Sequence, residues 1–304
     1  QDSVKVIHPR RKKIVEPALL DGKSISKDAK DDPRSKFALW VTSHPFFAEA
    51  LVNRMWSYLF GRGLVNPVDD FRSTNPATHP NLLKALAHDF RFHGYDLKQL
   101  LRRIVTSRTY QLSSDPSLVF PSNPDKQNFQ ASSNKNDTIN YSHFIPKSLE
   151  AEILLDAISQ VTGVPEIFKN NLGGQAPLGT RAIHLEVPDI YPSDFLEMYG
   201  KPNRNQVPEI RSAPSLTQAL HMLAGPTYTE KIANKTSRLG KFIENQTPHS
   251  EVIQELYLTA LSRFPSKSEQ TRLEAALSLR PSKKEAWEDL LWGLISSREF
   301  AFNH

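Results

Sequence analysis

Cysteine is absent from this sequence of 304 residues. The chain itself therefore has no disulfide, no thiolate nucleophile, no cysteine-ligated metal and no attachment point for covalently bound haem. No apolar run reaches the roughly eighteen residues that a membrane-spanning helix requires. Glycine is scarce, with 12 residues against 22 prolines, so many connections between elements are expected to be stiff and irregular.

Signature motifs of several enzyme classes are missing as well. The sequence contains no glycine-rich phosphate loop, no dinucleotide-binding fingerprint, no His-Glu-x-x-His pair and no Gly-x-Ser-x-Gly turn. The ten histidines are scattered, and His88 and His93 have a spacing that does not place them on one helical face. The sequence therefore predicts neither a nucleotide site nor a metal site, and no cofactor is expected in this chain.

The net charge of +5 comes mostly from one end of the chain. Residues 1–36 contain ten Lys and Arg against six Asp and Glu, whereas the remainder contains 28 against 27. The run from Arg10 to Lys13 is the densest basic stretch in this part. A nucleic-acid surface needs a stripe of cations together with several stacking aromatic rings. We therefore interpret the basic region as a solvated arm, and nucleic acid is not an expected partner.

Helical periodicity dominates what is present. Over residues 46–60, apolar side chains recur every three or four positions, as on the buried face of a helix, and Gly61 follows as a cap. The predicted buried residues are Phe47, Ala50, Leu51, Met55, Tyr58 and Leu59. Only residues 181–187 alternate as a short strand would. The predicted fold is mainly α, an irregular multi-helix bundle with a long proline-rich irregular middle segment and little or no β-structure.

The expected organisation is an extended basic arm over residues 1–35 followed by a single helical domain over residues 36–304. The predicted segments of that domain are front helices over 36–112, a loop over 113–145, a helix over 147–162, an irregular segment over 164–215 and rear helices over 216–302. The rear helices are predicted individually over 216–224, 227–240, 250–262, 267–279 and 283–297. Long irregular insertions in a compact body are often functional, so the irregular segment is of interest.

The densest polar cluster follows the first long helix. It consists of Asn53, Arg54, Arg62, Asp69, Asp70 and Arg72. Neighbouring carboxylates can bind a hard cation or, when their pKa values are split, serve as acid and base, so Asp69, Asp70, Arg54 and Arg72 are the catalytic candidates. The same residues can instead brace a turn, with the arginines as bidentate partners of the carboxylates. Bracing is favoured because no third carboxylate follows at the spacing of a metal loop.

A second set of residues is a candidate for ligand or partner binding. Its members are basic or aromatic: Arg62, Arg108, Tyr110 and Arg211. The patch around Arg108 contains too few rings to predict a nucleic-acid surface.

Several other polar and aromatic residues are predicted to lie at the surface. Glu152 and Asp156 lie four positions apart on a predicted helix, and we expect them on its solvent-facing side. Phe168, Tyr191 and Tyr199 in the irregular segment are expected to be exposed, where they would be candidates for stacking against sugar rings.

Several phrases of the sequence resemble one bacterial family, the domain of unknown function 1553, which is abundant in planctomycetes. The phrases occur in order from about residue 6 to the end of the chain. They are FAEALVNRMW from Phe47, LFGRGLV from Leu59, PVDDFR from Pro67, NP at Asn75, HP at His79, IVTSRTY from Ile104, RSAPSL from Arg211 and EFAFNH from Glu299.

The resemblance implies context more than chemistry. Such domains usually form the C-terminal part of larger proteins, after another domain of unknown function and often a cytochrome c domain. It therefore implies an exported, periplasmic or cell-surface protein, and a haem, if there is one, on a separate upstream domain. The family has no established activity that would extend to this chain.

The leading hypothesis is a non-catalytic helical scaffold or partner-binding module of a larger exported bacterial protein. Its expected partner is another protein or an upstream domain of the same polypeptide. One alternative is a domain that binds or processes extracellular polysaccharide through Asp69, Asp70, Arg54 and Arg72. A further alternative, which rests on the family context alone, is a docking domain for a cytochrome c partner.

Overall fold

The computed structural model describes residues 6–15, 18–25, 32–114, 136–201, 215–279 and 283–303. The chain divides into two compact units, Gln1–Ile145 and Pro146–His304. Each unit has its own cluster of buried hydrophobic side chains. The described residues are mainly helical, with two short antiparallel pairs of strands, which confirms the predicted fold class. The single domain over 36–304 stays a prediction.

The first unit begins with a short hairpin in the basic arm. Strand β1 (Val6–Ile7) pairs antiparallel with β2 (Ile14–Val15), with Ile7 opposite Ile14. The basic run 10–13 lies in the turn between them, and its side chains are exposed. The imidazole Nδ1 of His8 accepts from two backbone N–H groups of this turn at 3.2 Å, so the turn is held without using the basic side chains.

The described residues of the first unit contain four helices after this hairpin, and each begins where the sequence provides a start signal. They are α1 (Pro33–Ser43), α2 (Pro45–Phe60), α3 (Pro80–Phe92) and α4 (Leu97–Val105). The first three have proline in the first turn, where its missing N–H costs no hydrogen bond. Asp96 caps α4 by accepting from the Gln99 N–H at 3.1 Å. The fourth helix ends at Val105, and a turn follows it.

The core of the first unit lies where α2 packs against α3 and α4. Val52, Trp56 and Phe60 form the buried side of α2. The stripe predicted from the apolar spacing is wrong, because its members Phe47 and Tyr58 are 41% and 44% exposed. Phe90 from α3 and Leu100 from α4 complete this contact, and both are almost fully buried. This packing fixes the positions of the ends of α2 and α3, and therefore of the loop between them.

The second unit contains the remaining helices and a short pair of strands. Its helices are α5 (Ala151–Thr162), α6 (Asp194–Met198), α7 (Leu216–Ala224), α8 (Pro226–Ala233), α9 (Arg238–Glu244), α10 (His249–Leu261), α11 (Lys267–Leu279), α12 (Lys283–Ile295) and α13 (Arg298–Ala301). Strand β3 (Lys147–Ser148) pairs with β4 (Phe302–Asn303), which joins the two ends of the unit. Leu155, Ile253 and Leu291 are fully buried in the core that these helices share.

The structure corrects three predictions in this unit. The helix predicted over 147–162 begins at Ala151, because residues 147–148 pair with β4. The helix predicted over 227–240 is two helices, since the chain turns between Ala233 and Arg238. The strand predicted over 181–187 is wrong, because Ala182–His184 is a 3-10 turn.

Candidate functional site

The loop between α2 and α3, residues 61–79, is shaped by two glycines. Gly61 ends α2 with φ at 79°, in the left-handed region that favours glycine. At Gly63, a Cβ atom would lie 2.4 Å from the carbonyl oxygen of Val65 and 2.9 Å from the side-chain nitrogen of Asn53. Only glycine fits at this second position, so the loop can approach α2 closely enough to contact Asn53.

Asn53 binds this loop with its whole amide group and is fully buried. Its Nδ2 donates to the carbonyl oxygens of Val65 at 2.9 Å and Val68 at 2.8 Å. Its Oδ1 accepts from the backbone N–H of Val65 at 2.9 Å. Because buried backbone groups are costly to leave unpaired, Asn53 stabilises the start of the loop. The sequence analysis placed Asn53 in the polar cluster but assigned it no role of its own.

Arg54 and Asp69 form the first ion pair of the cluster. Nη2 of Arg54 donates to both carboxylate oxygens of Asp69 at 2.6 Å. The Arg54 side chain is 28% exposed and the Asp69 side chain is 53% exposed. The pair therefore connects α2 to the loop at the surface of the unit, where water screens its charges.

Arg72 and Asp70 form the second pair, two residues apart in the loop. Nε of Arg72 donates to Oδ1 of Asp70 at 2.5 Å and Nη2 donates to Oδ2 at 2.6 Å. This hydrogen bonding to the Asp70 carboxylate raises the pKa of Arg72. Asn75 donates from Nδ2 to the backbone carbonyl of Asp70 at 2.9 Å. The four candidate catalytic residues therefore lie together, with each carboxylate bound to its own arginine.

Arg62 lies in the same loop, where its backbone rather than its guanidinium makes the described contacts. The hydroxyl of Tyr141 donates to the carbonyl of Arg62 at 3.1 Å and to that of Gly63 at 3.2 Å. Burial raises the pKa of Tyr141, whose ring packs edge-on against Trp56 at 5.3 Å. Tyr141 thus anchors residues 62 and 63 of the loop, beside the residues that Asn53 binds. In the part of the chain that the structure describes, Nε of Arg62 is buried without a hydrogen-bond partner.

Two of the other three binding candidates, Arg108 and Tyr110, lie outside this loop. Arg108 is exposed in the turn after α4. Tyr110 is partly buried and packs edge-on against Phe60 at 5.6 Å and Phe144 at 6.0 Å, which makes it part of the core rather than a stacking platform. Arg211 lies outside the described residues.

Asp156 in the second unit is a structurally important carboxylate that the sequence analysis placed wrongly. It was expected on the solvent-facing side of α5, but it is only 6% exposed. Its Oδ1 accepts from the backbone N–H of Ala182 at 2.7 Å, and its Oδ2 lies 3.3 Å from the N–H of Ile183 and 3.4 Å from Nε of Arg181. This hydrogen bonding holds the 3-10 turn against α5. A cleft of about 290 Å³ lies beside it, lined in part by Ser159 and Arg181.

A buried lysine was also missed by the sequence analysis. Lys231 is 6% exposed, and its Nζ donates to the carbonyl of Val164 at 2.9 Å and pairs with Glu166 at 3.1 Å. These contacts hold the start of the irregular segment against α8. A lysine on a short helix gave no signal of burial, because lysine is usually exposed.

The aromatic residues proposed for sugar stacking are less exposed than expected. Phe168 is 3% exposed and belongs to the core of the second unit, while Tyr191 and Tyr199 are partly buried against that core. The ring of Tyr199 stacks on Phe195, with 4.3 Å between the ring centroids. Phe168 therefore cannot serve as a stacking surface, and the face of Tyr199 that meets Phe195 is occupied.

The described ranges contain neither a metal-binding cluster nor a membrane-spanning helix. No group of three or more His, Asp and Glu side chains in them is arranged to hold a metal ion. Among the helices that the structure describes, none has both the length and the apolar character that crossing a membrane requires.

Comparison with known proteins identifies the family. The family model described as "PSD1: Protein of unknown function (DUF1553)" matches residues 33–277, which is well over half of the chain. No curated protein and no solved structure matches. The resemblance drawn from the sequence is therefore confirmed, and the chain belongs to the family of unknown function DUF1553.

Proposed function

We propose that this chain is a non-catalytic helical module that acts as a scaffold or partner-binding part of a larger exported bacterial protein. The observation that carries the proposal is the pairing of Asp69 with Arg54 and of Asp70 with Arg72 within one loop. A carboxylate that ligates a cation or transfers a proton must present an oxygen to the reacting group. Here all four carboxylate oxygens accept hydrogen bonds from arginines that belong to the same short segment.

The way in which the loop is held supports a structural role for the whole cluster. The fully buried amide of Asn53 and the hydroxyl of Tyr141 both bind the backbone of the loop. The two ion pairs extend this bracing to the surface. Each component is explained by the need to fix a connection between helices, and none requires a substrate.

Exposed leucines on α7 support the partner-binding part of the proposal. Leu216, Leu220 and Leu223 lie at helical spacing on one side of α7, and they are 76%, 57% and 62% exposed. Apolar side chains grouped on one helical face are typical of surfaces that contact another protein. Contact with a partner would remove this apolar area from water.

The cellular context in this proposal comes from the family resemblance. Export to the periplasm or the cell surface and a cytochrome c neighbour are features that the resemblance implies. A covalently bound haem does not fit this chain, which has no cysteine to form the thioether bonds, so a haem would belong to a separate upstream domain. Such a cytochrome is one candidate for the partner of the proposed module.

Thermal unfolding with added ligands tests the proposal against the polysaccharide alternative. We expect calcium chloride, magnesium chloride and the soluble glucan laminarin to leave the Tm unchanged, because nothing binds specifically to the Asp69 and Asp70 carboxylates. Asp69→Asn and Asp70→Asn should each lower the Tm by a few degrees through loss of an ion pair. A Tm increase with one of these ligands in the unmodified chain, abolished in both variants, would replace the scaffold proposal with the polysaccharide or cation-site alternative.

A further inference from the structure

The turn between α3 and α4 and the start of α4 expose apolar side chains to water. Phe92 ends α3 and is 78% exposed, more than any other aromatic side chain in the described part of the chain. Tyr95 in the turn is 38% exposed, and Leu97 and Leu101 on α4 are 42% and 36% exposed. Single exposed apolar residues are ordinary, but four of them within ten residues indicate a surface that contacts something other than water.

This surface is held in place and is not a frayed helix end. The ring of Tyr95 packs edge-on against Phe90 at 5.2 Å and against Phe47 at 5.7 Å. Nε of Arg103 on α4 lies 3.1 Å from a carboxylate oxygen of Asp89 on α3, which joins the two helices. The exposed side chains therefore project from a preformed pair of helices, and contact with a partner would not require this segment to become ordered first.

The same pair of helices carries an excess of positive charge. Residues 80–110 contain six Lys and Arg against two Asp and no Glu, although the chain beyond the basic arm is almost neutral as a whole. Asp89 is the partner of Arg103, and Asp96 accepts from the Gln99 N–H at the start of α4. Because both carboxylates have contacts within the helix pair, the remaining cations are not neutralised by them.

Three of these cations lie close in sequence to the exposed apolar residues. In the ranges that the structure describes, the side chains of Arg91, Lys98 and Arg102 are exposed and make no ion pair or hydrogen bond. Lys98 and Arg102 lie four positions apart on α4, next to Leu97 and Leu101, which have the same spacing. Helix α4 therefore exposes an apolar stripe beside a cationic stripe.

A phospholipid surface with negative charge matches both stripes. Lys and Arg have long apolar stems, so their charged ends reach phosphate groups while neighbouring apolar side chains enter the boundary between headgroups and acyl chains. Each cation near such a surface strengthens binding. A nucleic acid would pair with the cations but would leave the two leucines of α4 in water, since leucine does not stack on bases as aromatic rings do. The apolar residues therefore favour a lipid surface over a polyanion.

We propose that the exposed surface of the α3–α4 pair binds peripherally to bilayers that contain anionic phospholipid. This α3–α4 surface consists of Arg91, Phe92, Leu97, Lys98, Leu101 and Arg102. Its apolar side chains enter the interfacial region of the bilayer, and its cations contact lipid phosphates. The inference goes beyond the scaffold role and does not depend on it, because it uses neither the α2–α3 loop nor the leucines of α7.

Co-sedimentation of the full chain with lipid vesicles tests the proposal. The chain should bind vesicles made of an equimolar mixture of phosphatidylglycerol and phosphatidylcholine, and it should bind vesicles of phosphatidylcholine alone much more weakly. Binding to the mixed vesicles should weaken as sodium chloride is added, because salt screens the attraction between the cations and the lipid phosphates. Equal binding to both kinds of vesicle, or no binding to the mixed vesicles, would overturn the proposal.

Charge variants locate the binding surface. The double variant Lys98→Gln and Arg102→Gln should bind the mixed vesicles about 25-fold more weakly, since each cation near an anionic surface contributes roughly fivefold. The double variant Lys241→Gln and Lys267→Gln removes the same charge from exposed positions of α9 and α11 and should bind like the unmodified chain. Equal weakening in the two double variants would refute the α3–α4 surface. Complete loss of binding on replacing the basic run 10–13 by serine would assign the binding to the arm instead.

A phenylalanine variant separates a lipid surface from a polyanion site. Phe92→Ser should weaken vesicle binding by about tenfold, because its ring no longer enters the bilayer interface, and its Tm should stay unchanged because the ring is mostly exposed. The control Phe264→Ser changes a phenylalanine of the second unit that is 64% exposed, and it should leave vesicle binding unchanged. Undiminished binding in Phe92→Ser, with binding lost in the Lys98 and Arg102 double variant, would identify a polyanion site and overturn the lipid proposal.

Discussion

At the scale of single residues, the chain stabilises its irregular segments with buried polar groups that bind backbone atoms. Asn53 binds the loop after α2, Asp156 binds the 3-10 turn at Ala182, and Lys231 binds the carbonyl of Val164. Each partner lies far from the binding side chain in sequence. These groups therefore determine how the non-helical segments pack against the helices, which apolar periodicity cannot do.

The ionisation of Glu269 predicts how the stability of the folded chain depends on pH. The hydrogen bonds from the Arg263 guanidinium, followed by the backbone N–H of Ser266 at 2.7 Å, lower the pKa of Glu269 from its ordinary value of 4.5 to about 2. Because the folded-state pKa is the lower one, the pair contributes stability that is fully present above about pH 4.5 and is lost as the pH falls toward 2.

The measurement is the free energy of unfolding of the chain and of Glu269→Gln, from denaturant titrations between pH 6 and pH 2.5. We expect the variant to be less stable at pH 6, with the difference shrinking steadily below pH 4.5. Glu251→Gln, at an exposed glutamate in the first turn of α10, serves as the control and should follow the unmodified chain at every pH. A difference that stays constant with pH would show that the Arg263 contact does not hold the pKa of Glu269 down.

At the scale of elements, the helices were predictable from the sequence, whereas the turns between them were not. Prolines and capping residues mark helix starts locally, and the starts at Pro80 and Leu216 agree with the sequence. The strand expected over 181–187 failed because its alternation is outweighed by the Asp156 contact with Ala182. A long-range hydrogen bond of this kind leaves no periodic signal in the sequence.

The candidate site was predictable to a similar degree. Arg54, Asp69, Asp70 and Arg72 were identifiable together because they lie within one short segment and have complementary charges. Which arginine binds which aspartate depends on the path of the loop. That path is set by Gly63 and Asn53, whose contacts become visible only in three dimensions. Tyr141 was beyond prediction, since it contacts the loop from 78 and 79 residues away.

Replacing a helical glycine by alanine is predicted to change the stability of the chain in opposite directions at two positions. In α9, a Cβ atom on Gly240 would lie 2.2 Å from the carbonyl oxygen of Lys235, which is backbone and cannot easily move. Gly240→Ala should therefore destabilise the chain by about 1–3 kcal/mol. In α12, Gly293→Ala meets open space and should stabilise it by about 0.5–1 kcal/mol, because alanine is the better helix former.

Urea denaturation of the two variants beside the unmodified chain measures both effects. The substitution is chemically identical in the two places, so each variant is the control for the other. Loss of stability in Gly293→Ala comparable to that in Gly240→Ala would mean that the space beside α12 is not open in solution. Equal stability of all three proteins would contradict the close approach of α9 to the turn before it.

At the scale of the whole molecule, the net charge of +5 is a property of one region and not of the folded surface as a whole. Residues 1–36 hold most of the excess, and the basic run 10–13 lies exposed in the turn between β1 and β2. Four neighbouring cations can contact at most about four phosphates, so binding to DNA through them would fall steeply with salt, with a slope of about −3.6 in a double-logarithmic plot.

We therefore predict that the chain does not bind a 20-base-pair DNA duplex at physiological salt with a Kd tighter than about 10 μM, because a short cationic turn without stacking rings supplies too few contacts. Fluorescence anisotropy with labelled duplex measures this directly. The variant with Arg10, Arg11, Lys12 and Lys13 all replaced by serine tests whether these residues account for any DNA binding. Its Tm should equal that of the unmodified chain, since the turn is held by His8 and not by these side chains. Tight binding that disappears in this variant would make the arm a phosphate-binding element, and nucleic acid would become an expected partner.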